Sequence, residues 1–143
     1  MKIVYSTGPV ENAASNPSTS TWVKVMNLSE SLEIVVEVKV YRLNGQKAEI
    51  AYSTFTIFPL SSDFDVFEIN DILQYEVQIS VSNKENALVS VWGKDANANL
   101  VSAHRFVQKE LNIISNSPSP TNLSRPVKKK KSTNSSRRKV RRN

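Results

Sequence analysis

Asn44-Gly45 lies between two runs, 32–42 and 48–58, in which apolar and polar residues alternate, and no other feature of the chain constrains its fold as tightly. A period of two marks a strand with one buried face, and Asn-Gly accepts the positive φ values of a two-residue type I′ hairpin turn. A turn closed by Leu43 against Gln46 would pair Ile34 with Phe55, Leu32 with Ile57, Val36 with Ser53 and Val38 with Ala51 on one apolar face. The other face would then carry Glu33 against Thr56, Glu37 against Tyr52 and Lys39 against Ile50, a surface that water tolerates. A slip of one residue would expose the whole apolar set.

Comparable β-branched and aromatic runs occur at 2–5, 21–28, 64–69, 75–82, 87–94 and 100–108, separated by turn residues. Eight short strands at this spacing predict an all-β antiparallel sandwich. Residues 6–21, STGPVENAASNPSTST, hold little that could enter a core and read as a loop or arm. Asp71 to Gln74 has room for a single helical turn. In 100–108, Val101, Ala103 and Val107 compete with Leu100, His104 and Phe106 for the inner face, and the pattern does not choose between them. Trp92 is expected to be mostly buried, with a rim or partner contact as the alternative. A chain of 143 residues fits one domain, expected over 1–115, followed by a disordered basic tail over 116–143.

Asp71, Leu73, Tyr75 and Val77 follow a spacing that resembles the tyrosine corner of immunoglobulin-like sandwiches. That resemblance implies an immunoglobulin-like antiparallel β-sandwich of about seven or eight strands, with the Tyr75 phenol bonded back to upstream backbone. The alternative is an ordinary aromatic at a strand edge. Val77 stands where antibody domains have a cysteine, and the chain contains no cysteine, so neither a disulfide nor a thiolate metal site can form.

The residue inventory argues against catalysis. A Ser or Cys nucleophile needs a base, most often histidine; the chain has no thiol and one histidine, His104, read as a strand residue beside Arg105 and as a surface or satisfied core histidine. One histidine without cysteines does not make a zinc site. Asp95-Ala96-Asn97-Ala98-Asn99 opens like a calcium loop, but Leu100 stands at the glycine position and Phe106 where the bidentate Glu belongs. An Asn-rich turn explains it better. Asp63 and Asp65 read as solvated carboxylates on one side of a strand, and three glycines do not build a phosphate loop. The sequons at Asn27, Asn122 and Asn134 read as chance. No catalytic residue, metal site or cofactor is expected.

Charge divides the chain unequally. Ten of its 19 Lys and Arg follow Ser115: Arg125, Lys128, Lys129, Lys130, Lys131, Arg137, Arg138, Lys139, Arg141 and Arg142. None of the 13 acids does, so residues 1–115 hold nine basic side chains against thirteen acidic ones, a net charge of −4. The tail is expected to bind polyanions through counterion release, without the interleaved aromatic residues that base stacking needs. Serines between and before its basic clusters are candidate phosphorylation sites that would offset this charge.

The Ser/Lys/Arg composition of the tail resembles that of certain bacterial spore-coat proteins, which implies a role in coat assembly. In a nucleated cell the same clusters would resemble a bipartite nuclear import signal. No secretory leader or membrane span is read from the sequence, so synthesis in the cytoplasm is expected, followed by deposition on a spore or cell surface, or nuclear import. Together these readings predict a non-catalytic structural or interaction protein. Its expected partner is an anionic polymer, an acidic protein surface or another copy of itself, and the alternative is a nucleic-acid-associated protein that grips phosphates without sequence specificity.

Overall fold

The computed structural model describes residues 2–117, which form a sandwich of two antiparallel sheets. One sheet runs in the order β10 (Asn112–Ser117), β1 (Lys2–Ser6), β7 (Gln74–Val81), β4 (Ile34–Asn44), β5 (Gln46–Ile57). The two-residue strand β2 (Val10–Glu11) joins it beside β7. The second sheet runs β6 (Ser61–Glu68), β3 (Ser20–Asn27), β8 (Ala87–Lys94), β9 (Phe106–Val107). No helix among the described residues is long and apolar enough to cross a membrane.

The core follows the alternation of the strands. Val36, Val38 and Val40 of β4, Tyr75, Val77, Ile79 and Val81 of β7, and Val23, Val25, Val89 and Val91 of β3 and β8 point between the sheets and are buried. Each such side chain contributes roughly 1.5–3 kcal/mol by leaving water. Because β-branched side chains fill a pleated inner face with little rotamer freedom to lose, these valines and isoleucines also favour the extended backbone.

The β4–β5 hairpin forms, with a register different from the one expected. Asn44 stays in the ladder opposite Gln46, and only Gly45 takes a positive φ (+81°), so the turn is tighter than a two-residue type I′ turn. A bulge between Val40 and Tyr41 adds a second offset. Ile34 therefore meets Ile57, Val36 meets Phe55, Val38 meets Ser53 and Val40 meets Ala51. Two offsets restore parity, so the expected face is correct for Ile34, Val36 and Val38 with each partner displaced by two residues, whereas Leu32 precedes β4 and is exposed rather than paired with Ile57.

Segment 6–21 is not a loose arm. β1 and β2 are one strand interrupted at Gly8 (φ +70°), and the Thr7 hydroxyl accepts the Val77 N–H at 3.0 Å across the break. Asn12 is buried; its amide donates to the Ser18 and Ile72 carbonyls, each at 2.9 Å, and its oxygen accepts the Ser18 N–H at 2.8 Å. Residues 100–108 are not one strand either. An isolated bridge from Leu100 to Lys94, a 3-10 turn over Ser102–His104 and the short β9 take its place, burying Val101 and His104 and exposing Leu100 and Ala103. No helical turn forms at 71–74, where Asp71 instead adopts φ +63°.

Ten strands are present among the described residues where about seven or eight were expected; β10 and the two-residue β2 are the strands not expected. β10 pairs with β1 and runs to Ser117, past the expected boundary at 115. The predicted tail from residue 118 onward, with all ten basic residues, lies outside the described residues.

Candidate docking face

Three places were singled out by sequence for possible chemistry, and the structure gives each a packing role. His104 is buried at the end of the 3-10 turn, with Nδ1 2.7 Å from Ser18 Oγ and Nε2 2.7 Å from the Glu11 carbonyl. A carbonyl only accepts, so Nε2 carries the proton; in the neutral ring Nδ1 accepts from the Ser18 hydroxyl. Ser and His thus meet, but as a buried clasp between β2, the 12–18 loop and the 102–104 turn, with the hydroxyl turned away from solvent. Gly93 makes this clasp possible: a Cβ there would collide with Ser18 Oγ and come within 2.7 Å of His104 Cβ.

Asp95 closes its own turn, accepting the N–H groups of Asn97 and Asn99 at 2.9 Å each, as the Asn-rich turn reading expects. Asp63 and Asp65 do lie on one side of β6, but that side faces the flank between the sheets. Asp63 is exposed there, as expected, whereas Asp65 is half-buried and accepts the Ser53 hydroxyl of β5 at 2.5 Å. No cluster of three or more metal-ligating side chains occurs among the described residues. The Asn27 sequon is fully buried; its amide reaches the carbonyls of Leu32, Ile57 and Phe58 at 2.8, 3.1 and 3.2 Å.

Tyr75 sits at the start of β7, as the corner spacing suggests, and is fully buried. Its phenol makes no hydrogen bond of good geometry, backbone included, and the neighbouring Thr21 hydroxyl is likewise unpaired. Burial pushes the phenol pKa well above its usual value, opposed only in part by the adjacent Thr21 and Ser18 hydroxyls. The ring instead meets His104 edge-on, with centroids 5.9 Å apart.

The feature that packing within the chain leaves unexplained is the outer face of the four-stranded sheet. Pairing of β3 with β6 and β8 sets Trp22 between Val66 and Trp92, Lys24 between Phe64 and Ser90, and Met26 between Ser62 and Leu88. Trp22 stacks on Phe64 with centroids 5.4 Å apart. Lys94 lies 3.9 Å from the Trp22 centroid, Lys24 5.0 Å from that of Phe64, and Arg105 5.6 Å from that of Trp92. Each indole N–H is satisfied two residues back along its own strand, by Ser20 and Ser90. Below this ladder a groove of about 600 Å³ opens, lined by Lys24, Met26, Phe64, Leu88, Val107 and Gln108 among others. Met26, Phe64 and Leu88 are 44–47% exposed. Trp92, expected to be mostly buried, is half-buried on this outer face.

Of these face residues only Trp92 was singled out from sequence, with a rim or partner contact as the alternative to burial. The signal was present in β3, STWVKVMN, where Trp22 and Met26 alternate with the core residues Val23 and Val25. A strand with large apolar side chains on both faces has an outer face that is not built for water alone. Comparison with protein-family models, curated proteins and solved structures finds no match to this chain.

Proposed function

We propose that this is a non-catalytic docking protein. The sandwich seats a partner on the groove of its four-stranded sheet, and the basic residues between Arg125 and Arg142 hold the assembly to an anionic polymer or acidic surface. The observation that supports this most is the composition of that outer face, which combines the exposed apolar side chains of Met26, Phe64 and Leu88 with Lys24, Lys94 and Arg105 on a head carrying net negative charge. A solvent-facing sheet in an antiparallel sandwich ordinarily carries polar side chains there. A spore or cell-surface layer is the setting this reading favours. Ten cations without an accompanying acid also support a second reading, nonspecific association with nucleic acid.

Fractionation of cells expressing the full chain tests the first reading. The protein should sediment with an insoluble anionic layer. Replacing the ten basic residues by Gln should release it to the soluble fraction, and Leu88→Asp should weaken retention without abolishing heparin binding. An unchanged distribution of the Gln variant would overturn the proposal. Retarded migration with both DNA and RNA, lost steeply as salt rises, would favour the second reading.

A further inference from the structure

The sandwich has four sheet edges, and three of them carry features that discourage pairing with another chain. β9 is two residues long. β6 points Asp63 and Asp65 toward the flank between the sheets, and its partner face is bridged by the Ser53–Asp65 bond. β10 is six residues long and meets β1 through a register shift at Val4/Tyr5. Short edges, inward charges and bulges are the usual protections of an open ladder. β5 differs. It spans twelve residues at the end of the six-stranded sheet, and positions 50–57, IAYSTFTI, contain no charge and no proline. The bulge opposite Val40/Tyr41 leaves Ile50 without a partner in β4, and beyond it Ala51 to Ile57 pair in regular register.

The direction of its free backbone groups follows from its neighbours. The Ser82 N–H donates to the Val35 carbonyl at 3.1 Å, so Val35 turns its polar backbone toward the β7 side. By alternation, Val36, Val38 and Val40 turn theirs toward β5, where they meet Phe55, Ser53 and Ala51. Tyr52, Thr54 and Thr56 are left with N–H and C=O groups facing out of the sheet. Their side chains project onto its outer face, where Tyr52 is 50% exposed. The free edge ends where the Asn27 amide takes the Ile57 and Phe58 carbonyls.

We propose that this edge pairs antiparallel with the same edge of a second copy, joining two six-stranded sheets across a two-fold axis. A two-fold requires a strand that complements itself. The stretch 50–57 does so: it brings no like charges together in any antiparallel register, and it sets β-branched and aromatic side chains opposite one another. A register placing Tyr52 opposite Thr54 of the second copy pairs the outward groups of both strands. The basic segment of this chain is a poorer occupant, because its lysines and arginines do not alternate with apolar residues. The inference uses β5 alone and is independent of the groove on the other sheet.

Light scattering and sedimentation of the full chain over a range of concentrations test it, with amide exchange as a second measurement. The native protein should approach twice the chain mass as concentration rises, with slowed exchange at Tyr52, Thr54 and Thr56. Thr54→Pro removes an outward donor that β4 does not use, and Tyr52→Lys places a charge on an exposed edge position. Both should give the single-chain mass with the circular dichroism of the native fold. Should Thr54→Pro fail to fold, Tyr52→Lys decides alone. A native protein that keeps the single-chain mass throughout, or a dimer that survives Tyr52→Lys and is dissolved by Leu88→Asp, would overturn the proposal.

Discussion

The middle of the sandwich and its two ends are held by different physics. In the middle, alternate valines and isoleucines from β3, β4, β7 and β8 fill the space between the sheets, and no single side chain is indispensable to the pattern. At one end Asn27 ties β3 to the 29–32 loop and to the exit of β5. At the other, Asn12, Ser18 and His104 tie β2, the 12–18 loop and the 102–104 turn together. Apolar burial is nondirectional and spreads its contribution over many residues, whereas a buried hydrogen bond has named partners that are left unsatisfied when it is lost. The ends of the sandwich should therefore be more sensitive to single substitutions than its middle.

The sharpest test sets one residue of each kind side by side. Asn27→Leu leaves three buried or half-buried carbonyls without their donor and the Ser29 N–H without its acceptor. It should cost about 3 kcal/mol, from the desolvation of those groups. Val38→Ala, in the fully buried centre of β4, should cost about 2 kcal/mol from lost burial and residual cavity. Urea denaturation of both variants measures the difference. If Val38→Ala proves the more damaging, the ends are not where the fold is most exposed to single changes.

The same contrast explains what the sequence revealed. β4 and β5 were legible because alternation repeats over many residues, so the correct face emerges even when the partner assignment is wrong. Their register was not legible, because it depends on a single turn residue at Gly45 and one bulge at Val40/Tyr41. Segment 6–21 looked structureless because its order rests on Asn12 and Ser18, whose partners Ile72 and His104 are distant in sequence. Short β9 and the turn before it replace the expected strand 100–108 because His104 must reach Ser18, a demand with no periodic trace. The docking face was hidden for another reason: Trp22, Phe64 and Leu88 lie on three different strands and form a surface only once β3 pairs with β6 and β8.

Gly93 probes the polar end from its neighbour. β8 could carry any small side chain at this position by pattern alone, yet Ser18 and His104 occupy the space where a Cβ would project. Gly93→Ala should cost about 2 kcal/mol by overpacking, less than Asn27→Leu because a shift of the clasp can relieve part of the clash. Thermal unfolding measures the cost, and amide exchange in 12–18 should quicken more than exchange in β4 or β7. A uniform change across both regions would mean that the clasp is not a separate unit.

The smallest effect is expected where a polar clasp lies on the water side of the middle. Glu76, on the outer face of β7, accepts the Ser6 hydroxyl at 2.5 Å and the Gln78 amide at 3.1 Å, and pairs with Lys47 of β5 at 2.8 Å. Burial works to raise its carboxyl pKa, but Lys47, Ser6 and Gln78 together outweigh it and hold the pKa below the ordinary glutamate value. The unfolded chain therefore takes up a proton at higher pH than the native one. The carboxylate's contribution is complete above that unfolded value and is lost as pH falls through the lower native one. Glu76→Gln keeps the shape and removes the charge, so it should cost about 1 kcal/mol at neutral pH, a small figure because water screens the Lys47 pair. That difference from the native protein should shrink progressively below pH 4.5. A gap that stayed constant from neutral to acidic pH would show that Glu76 acts through packing, placing it with the valines of the middle rather than with Asn27 and His104.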